Sequence, residues 1–192
     1  LVRKTKRFLG QLGLVLTAEQ KHLLTELRQL IQDLQPIDSG IPLKRIGVAG
    51  DGGYLVPDDL EGIKACYSPG VSNTAHFEEH LHREYGIPAF LADYSVDKAP
   101  VSNAALSFKK KFLGAYNDDI YMTLESWKQE TLGADVKDDL ILQMDIEGSE
   151  YEVLLSTPAE LLKQFRIIVV ECHFLEKLFD PFNFNLMKQS FY

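Results

Sequence analysis

Asp145 and Glu147 stand two residues apart, directly after the apolar run Leu140–Met144 and just ahead of Gly148. If that run is a strand that persists, both side chains point the same way. Two convergent carboxylates could hold Mg2+, or one could serve as a general base toward a hydroxyl. His173 follows a second apolar run and is a second candidate base, because imidazole titrates near neutrality. Upstream, Tyr67-Ser68-Pro69-Gly70-Val71-Ser72-Asn73 leads from an apolar run into a helical pattern. A glycine there lets backbone approach a ligand, and the helix start offers free N–H groups. Asp93 lies 23 residues beyond Gly70, a separation that suits a carboxylate accepting bonds from two ribose hydroxyls. Plainer readings stand beside these. Glu147 and Glu150 suit carboxylates satisfying amides at a helix start. Asp93 suits a turn, His173 a structural hydrogen bond, and Glu171 a structural rather than catalytic place.

These residues need strands to carry them. The apolar runs at 63–68, 87–92, 111–115, 140–144 and 167–170 are expected strands, and 73–85, 124–132, 151–155 and 158–165 expected helices. Uninterrupted apolar strands separated by helices indicate an α/β fold with a mostly parallel sheet covered on both faces. In such sheets ligands bind beyond the carboxyl ends of the strands, where all the residues above would sit. Ahead of this unit, Thr17 and Gln20 form a capping box. Leu23, Leu24, Leu27, Leu30, Ile31 and Leu34 then make one helical stripe over 18–34. The expected organisation is an N-terminal helical extension over 1–42 and a Rossmann-like domain over 43–192, incomplete at its C-terminus. The Gly50–Gly53 turn is open between a plain hairpin and a place beside a ligand. The stretch 174–192 is no more than amphipathic.

The 192 residues suit one domain with a sizeable core. With 45% hydrophobic and 25% charged residues, disordered and collagen-like classes are excluded. Twenty basic against 28 acidic residues leave −8, which disfavours nucleic acid as a partner. The local run Arg3, Lys4, Lys6, Arg7 reads as a solvated helix face. No stretch approaches the ~18 apolar residues of a membrane span, and 8–16 lacks the cleavage site of a signal peptide. Cys66 and Cys172 sit in apolar runs as inert thiols, so a reducing, cytoplasmic setting is expected. Leu1 in place of Met, and a pattern running up to Tyr192, suggest trimmed ends.

The run Leu142-Gln-Met-Asp145-Ile-Glu147-Gly148-Ser-Glu150-Tyr151-Glu-Val-Leu154 resembles the D-x-E-G-x-E-x-x-x-L signature of FkbM-type methyltransferases. Gly50-Asp-Gly-Gly-Tyr54, Tyr67-Ser-Pro-Gly70-Val71, Met122-Thr-Leu-Glu125-Ser and Ile168-Val-Val-Glu171-Cys-His173 resemble further family elements, in order, across 45–173. Pro69 and a lone glycine in the cofactor loop depart from the pattern, as does the absence of two last strands. The resemblance implies a Rossmann-like class I methyltransferase. It would transfer a methyl group from S-adenosylmethionine to oxygen on a sugar, glycan or other small hydroxylated acceptor. It places the cofactor against Ser68, Gly70, Val71, Asp93 and Asp145, and catalysis on Asp145, Glu147 and His173, with Mg2+ on Asp145 and Glu147 as an option.

Three other readings compete. A methyltransferase-like scaffold without chemistry could serve as a binding module. His76-Phe-Glu-Glu79-His80 matches the H-x-x-E-H zinc-hydrolase pattern, without an evident third ligand. A nicotinamide oxidoreductase lacks its second and third glycines. Acceptor identity and oligomeric state are not encoded in any of these motifs.

Overall fold

The computed structural model describes residues 21–100, 102–134 and 138–192. The Thr17–Gln20 capping box and the basic run at 3–7 lie outside them. The elements are α1 (Lys21–Asp33), β1 (Leu43–Gly47), β2 (Gly53–Pro57), β3 (Ala65–Pro69), α2 (His76–Tyr85), β4 (Ala89–Ala92), β5 (Leu106–Lys109), β6 (Phe112–Leu113) and β7 (Tyr121–Met122). They continue as α3 (Leu124–Leu132), β8 (Leu140–Met144), α4 (Glu150–Ser156), α5 (Ala159–Leu162), β9 (Phe165–Val170), a 3-10 turn (Leu175–Phe179) and α6 (Pro181–Phe191).

Five strands form one parallel sheet in the order β5-β4-β3-β8-β9. The chain winds outward from β3 in one direction, then returns to the other side of β3 with β8. This is a Rossmann-like arrangement whose switch point lies between β3 and β8. All five residues of β3 and all five of β8 are buried, because helices cover both faces. Strand alternation sorts the core into two layers. Cys66, Ile141 and Ile167 meet Phe77 and Leu81 of α2 and Ile46 and Val56 of the β1–β2 hairpin. Tyr67, Leu140, Leu142 and Phe165 meet Trp127 of α3 and Val153 of α4. Tyr67 and Trp127 pack edge to face at 5.1 Å.

Local chemistry explains the boundaries. Thr123 caps α3 by accepting from Ser126 N at 3.2 Å. Asp180 caps α6, accepting from Phe182 N and Asn183 N at 3.1 and 3.0 Å, with Pro181 in the first turn. Phe184 of α6 buries Leu27 and Leu30 of α1. No helix among the described residues is long and apolar enough to cross a membrane.

Several expected elements are corrected. The third strand is Leu106–Lys109, where Leu106 enters the core. Residues 111–115 instead hold β6, which pairs with β7 in a separate two-strand ladder. β9 begins at Phe165, because that ring packs into the second core layer, and α5 stops at Leu162. The stretch 174–192 contains a full helix. Gly50–Gly53 turns a hairpin, with Arg45 bonded to Val48 O and Gly50 O, and it also faces the cleft described next. Cys172 lies past the end of β9 and is only half buried.

Candidate functional site

A cleft of about 480 Å³ opens across the carboxyl ends of β3, β4 and β8, within the ~300–1,000 Å³ typical of small-molecule sites. Gly70, Asp93, Asp145 and Glu147 stand on its wall, facing Phe112 and Tyr121. A smaller hollow of about 80 Å³ adjoins it, sharing Asp51, Gly70, Ser72 and Asp145 and reaching Tyr54, Glu78 and Gln143.

Gly70 is where three strand ends meet. Its φ is +86°, and a Cβ there would lie 1.7 Å from the carbonyl oxygen of Asp145. Only glycine permits that approach. Its N–H donates to Ala92 O at 2.8 Å, tying the β3 end to β4. Asp93, almost fully buried, accepts from Ser72 N at 2.8 Å and from Ser95 N and Oγ, both at 2.7 Å. It therefore makes the turn expected of it while lining the cleft. Three of the roughly four accepting positions of a carboxylate are filled. Ser68 is fully buried, with its hydroxyl engaged by Glu78 and Gln143, and it lies outside the lining of both hollows. Val71 borders the smaller one. Burial raises the Glu78 carboxyl above its ordinary pKa, with the Ser68 hydrogen bond opposing the rise.

Across the switch point the groups are ionisable and crowded. Asp145 is pushed up to about 6, first by burial and then by Glu171, against the opposing pull of His173. Its Oδ1 is buried without a hydrogen-bond partner and lies 3.6 Å from His173 Nε2. Glu147 does not extend the strand. β8 ends at Met144, and Glu147 adopts φ +57° with its side chain 86% exposed. Alternation is lost, so Asp145 and Glu147 do not converge as strand neighbours. The turn nevertheless carries Glu147 Oε2 to 3.7 Å from His173 Nε2.

The helix-start role expected of both Glu147 and Glu150 belongs to Glu150 alone. Fully buried, its Oε1 accepts from Ile146 N at 3.0 Å and Gly148 N at 3.1 Å, and meets His173 Nδ1 at 2.9 Å. For His173, burial lowers the pKa, but the Glu150 hydrogen bond and the nearby carboxylates outweigh it and leave it raised. Glu171 continues β9 beside Asp145, its N–H donating to Met144 O at 2.9 Å. Tyr54 reaches Glu171 Oε2 at 3.5 Å. Burial raises the Tyr54 phenol, and Asp145 and Glu171 raise it further.

Sequence reasoning thus placed Gly70, Asp93, Asp145 and Glu147 on one cleft and His173 beside the last two. It passed over Tyr54, Glu78 and Gln143, and it discounted Glu171. The position of Glu78 in the first turn after the glycine loop was the available signal. His76 and His80 form no metal-donor group among the described residues, and His80 Nδ1 accepts from Gly47 N at 3.1 Å.

A family model described as the methyltransferase FkbM domain matches residues 4–191. No curated protein and no solved structure matches the chain. Since the match spans nearly all 192 residues, the chain belongs to the FkbM methyltransferase domain family.

Proposed function

We propose that the protein transfers a methyl group from S-adenosylmethionine to a hydroxyl of a sugar, glycan or other small acceptor. One observation carries this reading: the cleft over the β3–β8 switch point has Gly70, Asp93 and Asp145 on a common wall. S-adenosylmethionine supplies a methyl group already activated by the sulfonium charge, so alignment is the main task left to the protein. The residues suit it. Carboxylates on the wall favour a cation, Asp93 keeps an accepting position for a ribose hydroxyl, and Phe112, Leu113 and Ile146 offer apolar surface for a purine. Asp145 and His173 are the groups for the acceptor's proton. Glu150 holds His173 Nδ1 and leaves Nε2 turned toward Asp145 and Glu147. A cytoplasmic setting belongs to the same proposal and rests on two unpaired cysteines.

Calorimetric titration with S-adenosylhomocysteine tests the donor. One molecule bound per chain is expected. No binding would sink the reading and favour a binding module without chemistry.

A further inference from the structure

We propose that Asp145, Glu171 and His173 form a site for a first-row divalent cation. It draws on the reading above only for the use of the ion, not for its binding. One ligand atom from each residue lies within 4.8 Å of the others. A bound ion at ~2.0–2.2 Å from each would bring them somewhat closer together.

The hydrogen bonding around His173 gathers acceptor atoms on one side of the ring. In the neutral ring, Glu150 Oε1 takes the Nδ1–H and the Nε2 lone pair is left outward. What faces that lone pair is Asp145 Oδ1 at 3.6 Å and Glu147 Oε2 at 3.7 Å, both acceptors. Asp145 Oδ1 is buried with no donor, and fully buried Glu150 has its second oxygen without one. Acceptors facing acceptors in a half-buried place call for positive charge between them, either a proton on Nε2 or a metal ion. A carboxyl behind the far nitrogen of an imidazole is also the usual way a metal-bound histidine is oriented. The donor set selects the ion. Imidazole with carboxylates suits Mn2+ through Zn2+, whereas Mg2+ prefers oxygen alone and keeps its waters. A cation on this wall would acidify an acceptor hydroxyl that reached it.

The competing occupant is a proton on Nε2, and titration separates the two. Chelator-stripped protein is titrated with Zn2+ and, separately, Mn2+. One ion per chain is expected, weakened about 10- to 100-fold by either E171Q or H173N, and not displaced by equimolar Mg2+. The paired variant H76N/H80N should bind as the parent does. Absence of saturable binding, binding indifferent to both E171Q and H173N, or binding lost with H76N/H80N would each overturn the site. S-adenosylhomocysteine is titrated into the same samples. Its retention without ion binding sinks the cation site alone, whereas ion binding without it sinks the donor reading alone. Retained nucleoside binding by E171Q also shows that this variant is folded.

Discussion

On the β3–β4 side of the cleft, Asp93 accepts three hydrogen bonds and Gly70 donates to Ala92. On the β8–β9 side, Asp145 and Glu150 each keep a buried oxygen without a donor. Both sides are polar and both carry acids, yet they are built differently. Completed hydrogen bonds fix a shape. Incomplete ones, with Asp145 raised to about 6 and His173 raised by its acidic neighbours, leave capacity for protons and ligands. One pair of strand ends is held in shape, and the other is where the proposed chemistry would take place.

Gly70→Ala attacks the shaping side and carries the largest expected effect. The new methyl would meet the Asp145 carbonyl at 1.7 Å at a φ of +86°, so β3 and β8 could not keep their turns. A loss of about 3 kcal/mol or more is expected, a fall of roughly 6–12 °C in melting temperature for a domain of this size. S-adenosylhomocysteine binding should vanish with it. A variant as stable as the parent would show that this closeness is not what joins the two sides.

Asp145→Asn attacks the chemical side. Turnover should fall about 10²- to 10⁴-fold while the fold persists, so full activity would remove Asp145 from the chemistry. The substitution also has a signature in pH. Burial and Glu171 raise the carboxyl from 3.8 to about 6, so the folded chain holds this proton more tightly than the unfolded chain. Its stabilising effect is therefore present at low pH and lost as pH rises from about 4 to 6. Over that window D145N should gain in melting temperature relative to the parent, and a flat difference would contradict the shift.

The same division explains what was readable from sequence. Leu140–Met144 and Leu124–Leu132 were legible to the residue, the first as a run apolar but for Gln143. Leu106–Lys109 was not, since an edge strand reading Leu-Ser-Phe-Lys ahead of two further lysines has little apolar signal. Strand ends mark positions, so Gly70, Asp93 and Asp145 could be placed on one rim. Side-chain partnership is different. Glu150 meets His173 across 23 residues, and neither that pairing nor the left-handed turn at Glu147 is written in any local spacing. Ser68 shows the same limit, because the strand position that sends it to Glu78 depends on α2 lying beneath it.

Glu150→Gln probes the link between His173 and its support. It keeps one accepting oxygen but replaces the other with a donor, and a loss of about 1–3 kcal/mol is expected. The more telling readout is the imidazole itself. Without the carboxylate, burial is less opposed, so the His173 pKa should fall from its raised value. Nuclear magnetic resonance titration of the ring reports this directly. An unmoved value would mean that Asp145 and Glu147, not Glu150, set the charge of the ring.

Glu147→Gly is the gentlest intervention and carries the opposite sign. Glu147 holds a left-handed conformation, φ +57°, with its side chain 86% exposed. Such a conformation costs a residue with a Cβ about 1–2 kcal/mol, while glycine adds about 0.5–1 kcal/mol of lost chain freedom. The balance is a gain of roughly 0.5–1 kcal/mol, measurable by urea unfolding. If Glu147 contributes to the chemistry through His173 Nε2, the stabilised variant should also turn over more slowly. A gain in stability with unchanged turnover would confine the chemical side of the rim to Asp145, Glu171 and His173.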